Sequence, residues 1–146
     1  MKTLLIHGAT GKVGQALLEQ ALAHPGVALV TAPTRRPLAV RDARLQNPII
    51  DFRALPSERW WKADAALCAL GTTLRLAGSQ AAFFEVDHDF VVAAARRAWQ
   101  AGTPCFVLNS ALGANARAGN FYLRVKGQAE DSVAALGFES LTLVRP

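Results

Sequence analysis

The amino-acid sequence predicts an α/β fold, a doubly wound parallel sheet with helices on both faces, as one domain over residues 1–146. Three observations carry this. Short apolar runs alternate with helical patterns along the whole chain. The first run, Thr3–Ile6, passes through glycines at 8, 11 and 14 into a helical pattern in which Val13, Leu17 and Ala21 lie about one turn apart. The residues richest in chemistry (Gly8, Arg35, Asp51, Gly71 and Ser110) each follow a predicted strand, and open α/β sheets bind ligands outside the carboxyl ends of their strands.

Thr3–Ile6 is short, apolar and led by a β-branched residue, so it reads as a buried first strand. Gly8 permits a sharp turn out of that strand, Gly11 lets the backbone approach a pyrophosphate, and Gly14 lets the helix pack close. The helix N-terminus offers unpaired N–H groups and partial positive charge to phosphates. The spacing is G-x-x-G-x-x-G, and a plain tight turn also accounts for three glycines. The strand before and the helix after favour phosphate binding. The helix runs to about Ala23 and stops at His24-Pro25-Gly26.

Val27–Thr31 is the second strand. An acidic residue at its end would take the ribose hydroxyls of NAD(H). This chain has Thr34-Arg35-Arg36 instead, and arginine binds phosphate through paired hydrogen bonds. The pair suits the 2′-phosphate of NADP(H); a solvated charge pair on a loop is the alternative. Pro37–Gln46 reads as loop or irregular helix, and Pro48–Ile50 as the third strand, ending at Asp51-Phe52. Asp51 falls where adenine is expected, or else caps the next helix. Trp60 and Trp61 follow on a weak helix and suit packing.

Ala65–Leu70 is a continuous apolar run, as expected of a parallel strand covered on both faces. Gly71 stands at its carboxyl edge, where backbone passes close to a cofactor. Leu74–Glu85 reads as a loop with a short helix. Asp87 or Asp89 then starts a helix with the stripe Val91, Ala94, Ala95 and Ala98, closed by Gly102. Pro104–Leu108 is the fifth strand, with Asn109-Ser110 at its end. A polar loop, Gly113–Asn120, leads to a helix over Phe121–Leu136, and Leu141–Val144 is the sixth strand.

Composition narrows the function. The net charge is +5, yet Lys and Arg are scattered apart from Arg35-Arg36 and Arg96-Arg97, without an aromatic-basic stripe. That suits an anionic small ligand and not nucleic acid. Cys68 and Cys105 lie in apolar runs and read as buried free thiols, and no cluster has metal-ligand spacing. The first apolar run is too short for a secretory leader, and none approaches the ~18 residues of a membrane span. A cytoplasmic setting is the expectation.

Ser110, Tyr122 and Lys126 form a candidate catalytic group. Residues four apart share a helix face, so Tyr122 and Lys126 can point together at one cofactor. A nearby ammonium favours a phenolate, and a serine hydroxyl can orient a substrate carbonyl. Together they can protonate the carbonyl oxygen as hydride reaches its carbon.

These residues resemble the short-chain dehydrogenase/reductase superfamily and, more narrowly, its atypical members similar to Tat-interacting-protein oxidoreductases. The resemblance spans essentially the whole chain. It is carried by Gly8–Gly14, Cys68–Thr73, Ala77-Gly78, Val86-Asp87, Ser110 with Gly113-Ala114, Tyr122–Gly127 and Arg145-Pro146. It implies an NADP(H)-binding Rossmann fold with a Ser-Tyr-Lys site, hence an oxidoreductase on a small carbonyl, with an NADPH-binding regulatory or assembly protein and a sugar-nucleotide epimerase or dehydratase as the alternatives. It would place Thr10, Lys12 and Val13 on the pyrophosphate, Arg35 and Arg36 near the 2′-phosphate, Leu70 and Gly71 by the ribose, and Lys126 on the nicotinamide ribose. Asp87 stands where many extended relatives carry Asn, which implies a backbone or capping role. His7, unusual in the turn region, either touches cofactor or packs. Relatives would continue past Arg145-Pro146 into a substrate-binding part, so the expectation is a segment absent after residue 146 or a homodimer covering the last strand.

Overall fold

The computed structural model describes residues 1–146. β1 (Lys2–His7) runs through the middle of the sheet, from exposed Lys2 to fully buried Leu5, Ile6 and His7. It pairs in parallel with β2 (Val27–Thr31) on one side and β4 (Ala65–Cys68) on the other. β3 (Leu45–Gln46) extends the sheet beyond β2; β5 (Cys105–Asn109) and then β6 (Ser140–Val144) extend it beyond β4. All pairs are parallel and the order is β3-β2-β1-β4-β5-β6. This is the doubly wound order of the Rossmann fold, and its switch point lies between the carboxyl ends of β1 and β4.

Side chains alternate between the faces of a strand, so β1 feeds two cores. Ile6 packs with Val27 and Val30 of β2 and with Leu18 and Ala21 of α1 (Lys12–Ala23). Leu5 packs on the other face with Ala66, Phe106 and Leu108, beneath α4 (Val91–Gln100). Val91, Ala94, Ala95 and Ala98 form the buried stripe of α4, and three alanines let its backbone lie close to the sheet. α5 (Phe121–Ala134) adds Val133 to the same core.

β4 and α5 each end two residues before the expected Leu70 and Leu136, and two boundaries differ further from the sequence expectation. Regular pairing of the third strand ends at Gln46, and only an isolated bridge, Thr34↔Ile49, continues it. Pro48 has no N–H to give a ladder. The connection from β2 holds no helix because Asn47 ties it down. Its Oδ1 accepts from the Leu38 N–H (2.9 Å), and its Nδ2 donates to the Ala32 carbonyl (2.6 Å) and Thr34 Oγ1 (2.8 Å). The helix expected from Asp87 or Asp89 starts earlier. After α2 (Leu74–Ala77), the Ser79 hydroxyl accepts from the Ala82 N–H (3.1 Å) and caps α3 (Gln80–Phe84). A π-helical turn, Glu85–Phe90, then joins α3 to α4.

The tryptophans pack as expected. On a 3₁₀ turn, Arg59–Trp61, Trp61 is buried against Trp60 (ring centroids 4.6 Å) and His7 (5.6 Å), and its indole N–H donates to the Pro56 carbonyl (2.9 Å). Both cysteines are free. Cys68 is buried, which pushes its thiol up to about 12, whereas Cys105 is half-buried and not enclosed as expected. No helix is long and apolar enough to cross a membrane.

Candidate functional site

A cleft of about 420 Å³ opens at the carboxyl ends of β1, β2 and β4. Its floor is the glycine turn. Gly8 adopts φ +82°, and a Cβ there would stand 2.5 Å from the Ala69 carbonyl carbon, so this residue is fixed by strand packing. Gly14 is fixed more tightly: a Cβ would lie 1.8 Å from the Gly8 carbonyl oxygen. Gly11 differs, since its nearest neighbour would be 3.6 Å away. It is also the N-cap of α1, and no side chain caps that helix. Open space above uncapped N–H groups is what a pyrophosphate fits.

Gly8, Thr10 and Gly11 line the cleft with Arg35, Arg36, Phe52, Leu70 and Gly71. Both arginines are exposed, and the buried Thr34 hydroxyl donates to the Arg36 carbonyl (2.6 Å), which fixes the turn that carries them. Phe52 is buried and stacks on Phe90 (5.8 Å). Lys12, Val13 and Gly14 lie outside the cleft wall, the first two exposed on the first turn of α1. Asp51 lies outside it as well: its Oδ1 accepts from the Arg53 N–H (2.8 Å), which closes a local turn and does not cap a helix.

Tyr122 and Lys126 share one face of α5, as their spacing predicts. Lys126 Nζ lies 5.5 Å from the Tyr122 ring centroid, and that ring packs on Phe83 at 5.5 Å. The side chain of Lys126 is 10% exposed and contacts Asp87 Oδ1 at 2.6 Å. Asp87, fully buried, accepts from the Thr72 N–H at its other oxygen (2.9 Å). Burial raises the Asp87 carboxyl above its ordinary range, opposed by the Lys126 charge and the hydrogen bonds from Lys126 and Thr72. A Cβ on Gly71 would stand 3.1 Å from Asp87 Oδ1 and 3.4 Å from Lys126 Nζ, so this ion pair sits directly behind the cleft wall.

Ser110 is held elsewhere. Its hydroxyl donates to Glu130 Oε2 (2.7 Å), and Glu130 also accepts from Arg145 through Nη2 (2.5 Å) and Nε (3.2 Å). A hydroxyl has one proton, so toward any other partner Ser110 offers only lone pairs. Sequence reasoning missed Glu130; its signal is the next step of a Tyr-x-x-x-Lys-x-x-x-Glu spacing. Asp87 shows the backbone contact that the family resemblance implies, and also an ion pair that sequence reasoning missed; its signal is an acid directly after Val86, before an apolar stripe. His7 is packed, fully buried, with neither ring nitrogen partnered, and burial lowers it to about 4.

Curated relatives decide the family. Protein fmp52, mitochondrial, of Aspergillus fumigatus is 35% identical over 154 residues, covering 100% of this chain and 66% of the relative. Protein HTATIP2 of Rattus norvegicus is 35% identical over 150 residues, covering 99% and 62%. The chain belongs to this family of atypical short-chain dehydrogenases/reductases. It spans about two thirds of the length of these relatives. No protein-family model matches it. Among solved structures, MoeE5 in complex with UDP-glucose and NAD superposes with a TM-score of 0.79 at 20% identity, covering 98% of this chain and 53% of that one. That likeness shows the Rossmann fold. The expected cytoplasmic setting does not stand: the fungal relatives are named mitochondrial.

Proposed function

We propose that this chain is the cofactor-binding part of an oxidoreductase that takes NADP(H) in preference to NAD(H) and acts on a small carbonyl or related substrate. The observation that carries the reading is the placement of Arg35 and Arg36 in the same cleft wall as Gly8, Gly11 and Gly71. The arginines would hold the 2′-phosphate, Gly11 and the uncapped start of α1 the pyrophosphate, and Phe52 the adenine. Lys126 would donate to the nicotinamide ribose. When bound, the cofactor supplies hydride to the carbonyl carbon; Tyr122 would give its proton to the carbonyl oxygen. The remaining walls of the substrate pocket are assigned to the part of such proteins that this chain does not match. As partners the reading takes the substrate and, across the outer edge of β6, a second copy of the chain, and neither nucleic acid nor a membrane.

A hydrogen bond to a charged group contributes roughly 1.5–3 kcal/mol, about ten- to a hundredfold in affinity. NADPH should therefore bind at least about tenfold tighter than NADH in a fluorescence titration, and Arg35→Ala with Arg36→Ala should abolish the preference. Equal affinities in the native protein would defeat the proposal. One observation favours a second reading, an NADPH-binding regulatory or assembly protein with little turnover: Lys126 is matched by Asp87 and Ser110 by Glu130, so two of the three candidate catalytic groups already have protein partners. Consumption of NADPH across a panel of small aldehydes and ketones supports the enzyme, and binding without consumption supports the regulator.

A further inference from the structure

We propose that Asn47 sets the cofactor preference of this chain. It lies outside the cleft wall and acts as a positioning residue, fixing the turn from which Arg35 and Arg36 reach a 2′-phosphate. The inference rests on the reading of those arginines as the phosphate site and fails separately from it.

The arginine turn has little of its own to hold it. Both residues are exposed and neither guanidinium has an ion-pair partner. Two adjacent unmatched cations repel each other. The backbone of Arg35–Arg41 makes two hydrogen bonds and no others: the Arg36 carbonyl accepts from Thr34 Oγ1 (2.6 Å), and the Leu38 N–H donates to Asn47 Oδ1 (2.9 Å). Anchoring resumes only at Asp42, whose carbonyl accepts from the Leu45 N–H (3.0 Å). Pro37 stands between the two held groups, and its ring fixes φ. Both bonds lead to Asn47. Its Nδ2 donates to Thr34 Oγ1 (2.8 Å), which leaves the single hydroxyl proton for the Arg36 carbonyl. Asn47 therefore grips both ends of Arg36-Pro37-Leu38, once directly and once through Thr34.

One bond of Asn47 belongs to the sheet. The Ala32 N–H donates to the Gln46 carbonyl (2.8 Å), the Thr34 N–H to the Pro48 carbonyl (3.1 Å), and the Ile50 N–H to the Thr34 carbonyl (2.9 Å). This parallel ladder leaves the Ala32 carbonyl to the N–H of residue 48, which proline lacks. Asn47 Nδ2 takes that place (2.6 Å). The second Nδ2 hydrogen and Oδ1 add nothing to the ladder; they serve the arginine turn. Guanidinium binds phosphate through paired, directional hydrogen bonds. A turn freed from Asn47 can spread its two charges into solvent, and re-ordering it then subtracts from binding. Only a ligand with a 2′-phosphate meets this cost. NADH, which would use the Gly11 turn and Phe52 alone, does not.

Fluorescence titration of the full chain with NADPH and with NADH tests the assignment. Asn47→Ala should weaken NADPH about tenfold and leave NADH within about twofold. Thr34→Val, which removes the hydroxyl between Asn47 and Arg36, should act in the same direction, and Thr34→Ser should keep the native preference. In a chain that already carries Arg35→Ala and Arg36→Ala, Asn47→Ala should change neither affinity, because the turn then has nothing to aim. An Asn47 that serves only the fold would weaken both cofactors alike, or lower the melting temperature with the preference intact; either result overturns the proposal. Should Asn47→Ala fail to fold, the Thr34 variants decide alone, and a native preference in Thr34→Val overturns it equally. Equal affinities of the native protein for NADPH and NADH would remove the phosphate reading and this inference together. A native preference that survives both variants removes this inference alone.

Discussion

His7 places a titratable ring inside the core with no hydrogen-bond partner, packed at a tilt against Trp61. Burial alone lowers it to about 4, against an ordinary value of 6.5. Because the folded value lies below the unfolded one, its contribution to stability is complete above pH ~6.5 and is lost as pH falls toward 4. At 1.36 kcal/mol per unit the loss is up to roughly 3 kcal/mol. Asp87 has the opposite sign: its raised carboxyl favours the folded state at low pH, so it does not add to the acid loss. Urea unfolding from pH 7 to 4.5 should show a steeper fall in stability for the native chain than for His7→Leu. Parallel curves for the two proteins would mean that the ring is hydrated or partnered in solution.

The glycine turn of β1 and α1 separates two roles that sequence spacing cannot. Gly14 serves the fold, since a Cβ would drive into the Gly8 carbonyl; Gly11 has room and serves the ligand. Gly14→Ala should destabilise by about 1–3 kcal/mol through overpacking, seen as a lower melting temperature without cofactor. Gly11→Ala should melt near the native temperature yet bind NADPH more weakly. The reverse pattern would contradict the assignment. This turn was legible because strand, glycines and helix follow one another locally, and the six-strand order was legible from the alternation. The third strand and the start of α3 were not. Asn47 and Ser79 set those boundaries, and their effect depends on which backbone groups they reach. Asp87 with Lys126 and Ser110 with Glu130 were hidden for a related reason: each joins separate elements, and only the packing of the π turn and β5 against α5 brings them together.

At the scale of the molecule the sheet divides two cores, one under α1 and one under α4 and α5. The cleft lies across the end of that divide, with walls from the glycine turn, the Arg35-Arg36 loop, the β4 turn and Val86 and Phe90 of the π turn. A ligand there contacts segments that belong to both cores, so binding should stabilise the chain as one unit. A ligand at a hundred times its dissociation constant stabilises by about 2.7 kcal/mol, which for a domain of this size raises the melting temperature by roughly 5–11 °C. At equal concentration NADPH should raise it more than NADH. The chain carries a net charge of +5 and both arginines are exposed, so the 2′-phosphate contact is open to salt. With a screening length of about 10 Å at 0.1 M and about 3 Å at 1 M, the difference between the cofactors should shrink as salt is added, while the part owed to the pyrophosphate on backbone N–H groups should persist. Differential scanning fluorimetry with each cofactor at low and high salt measures both. Equal shifts at low salt, or a difference that salt leaves unchanged, would remove Arg35 and Arg36 from the cofactor site.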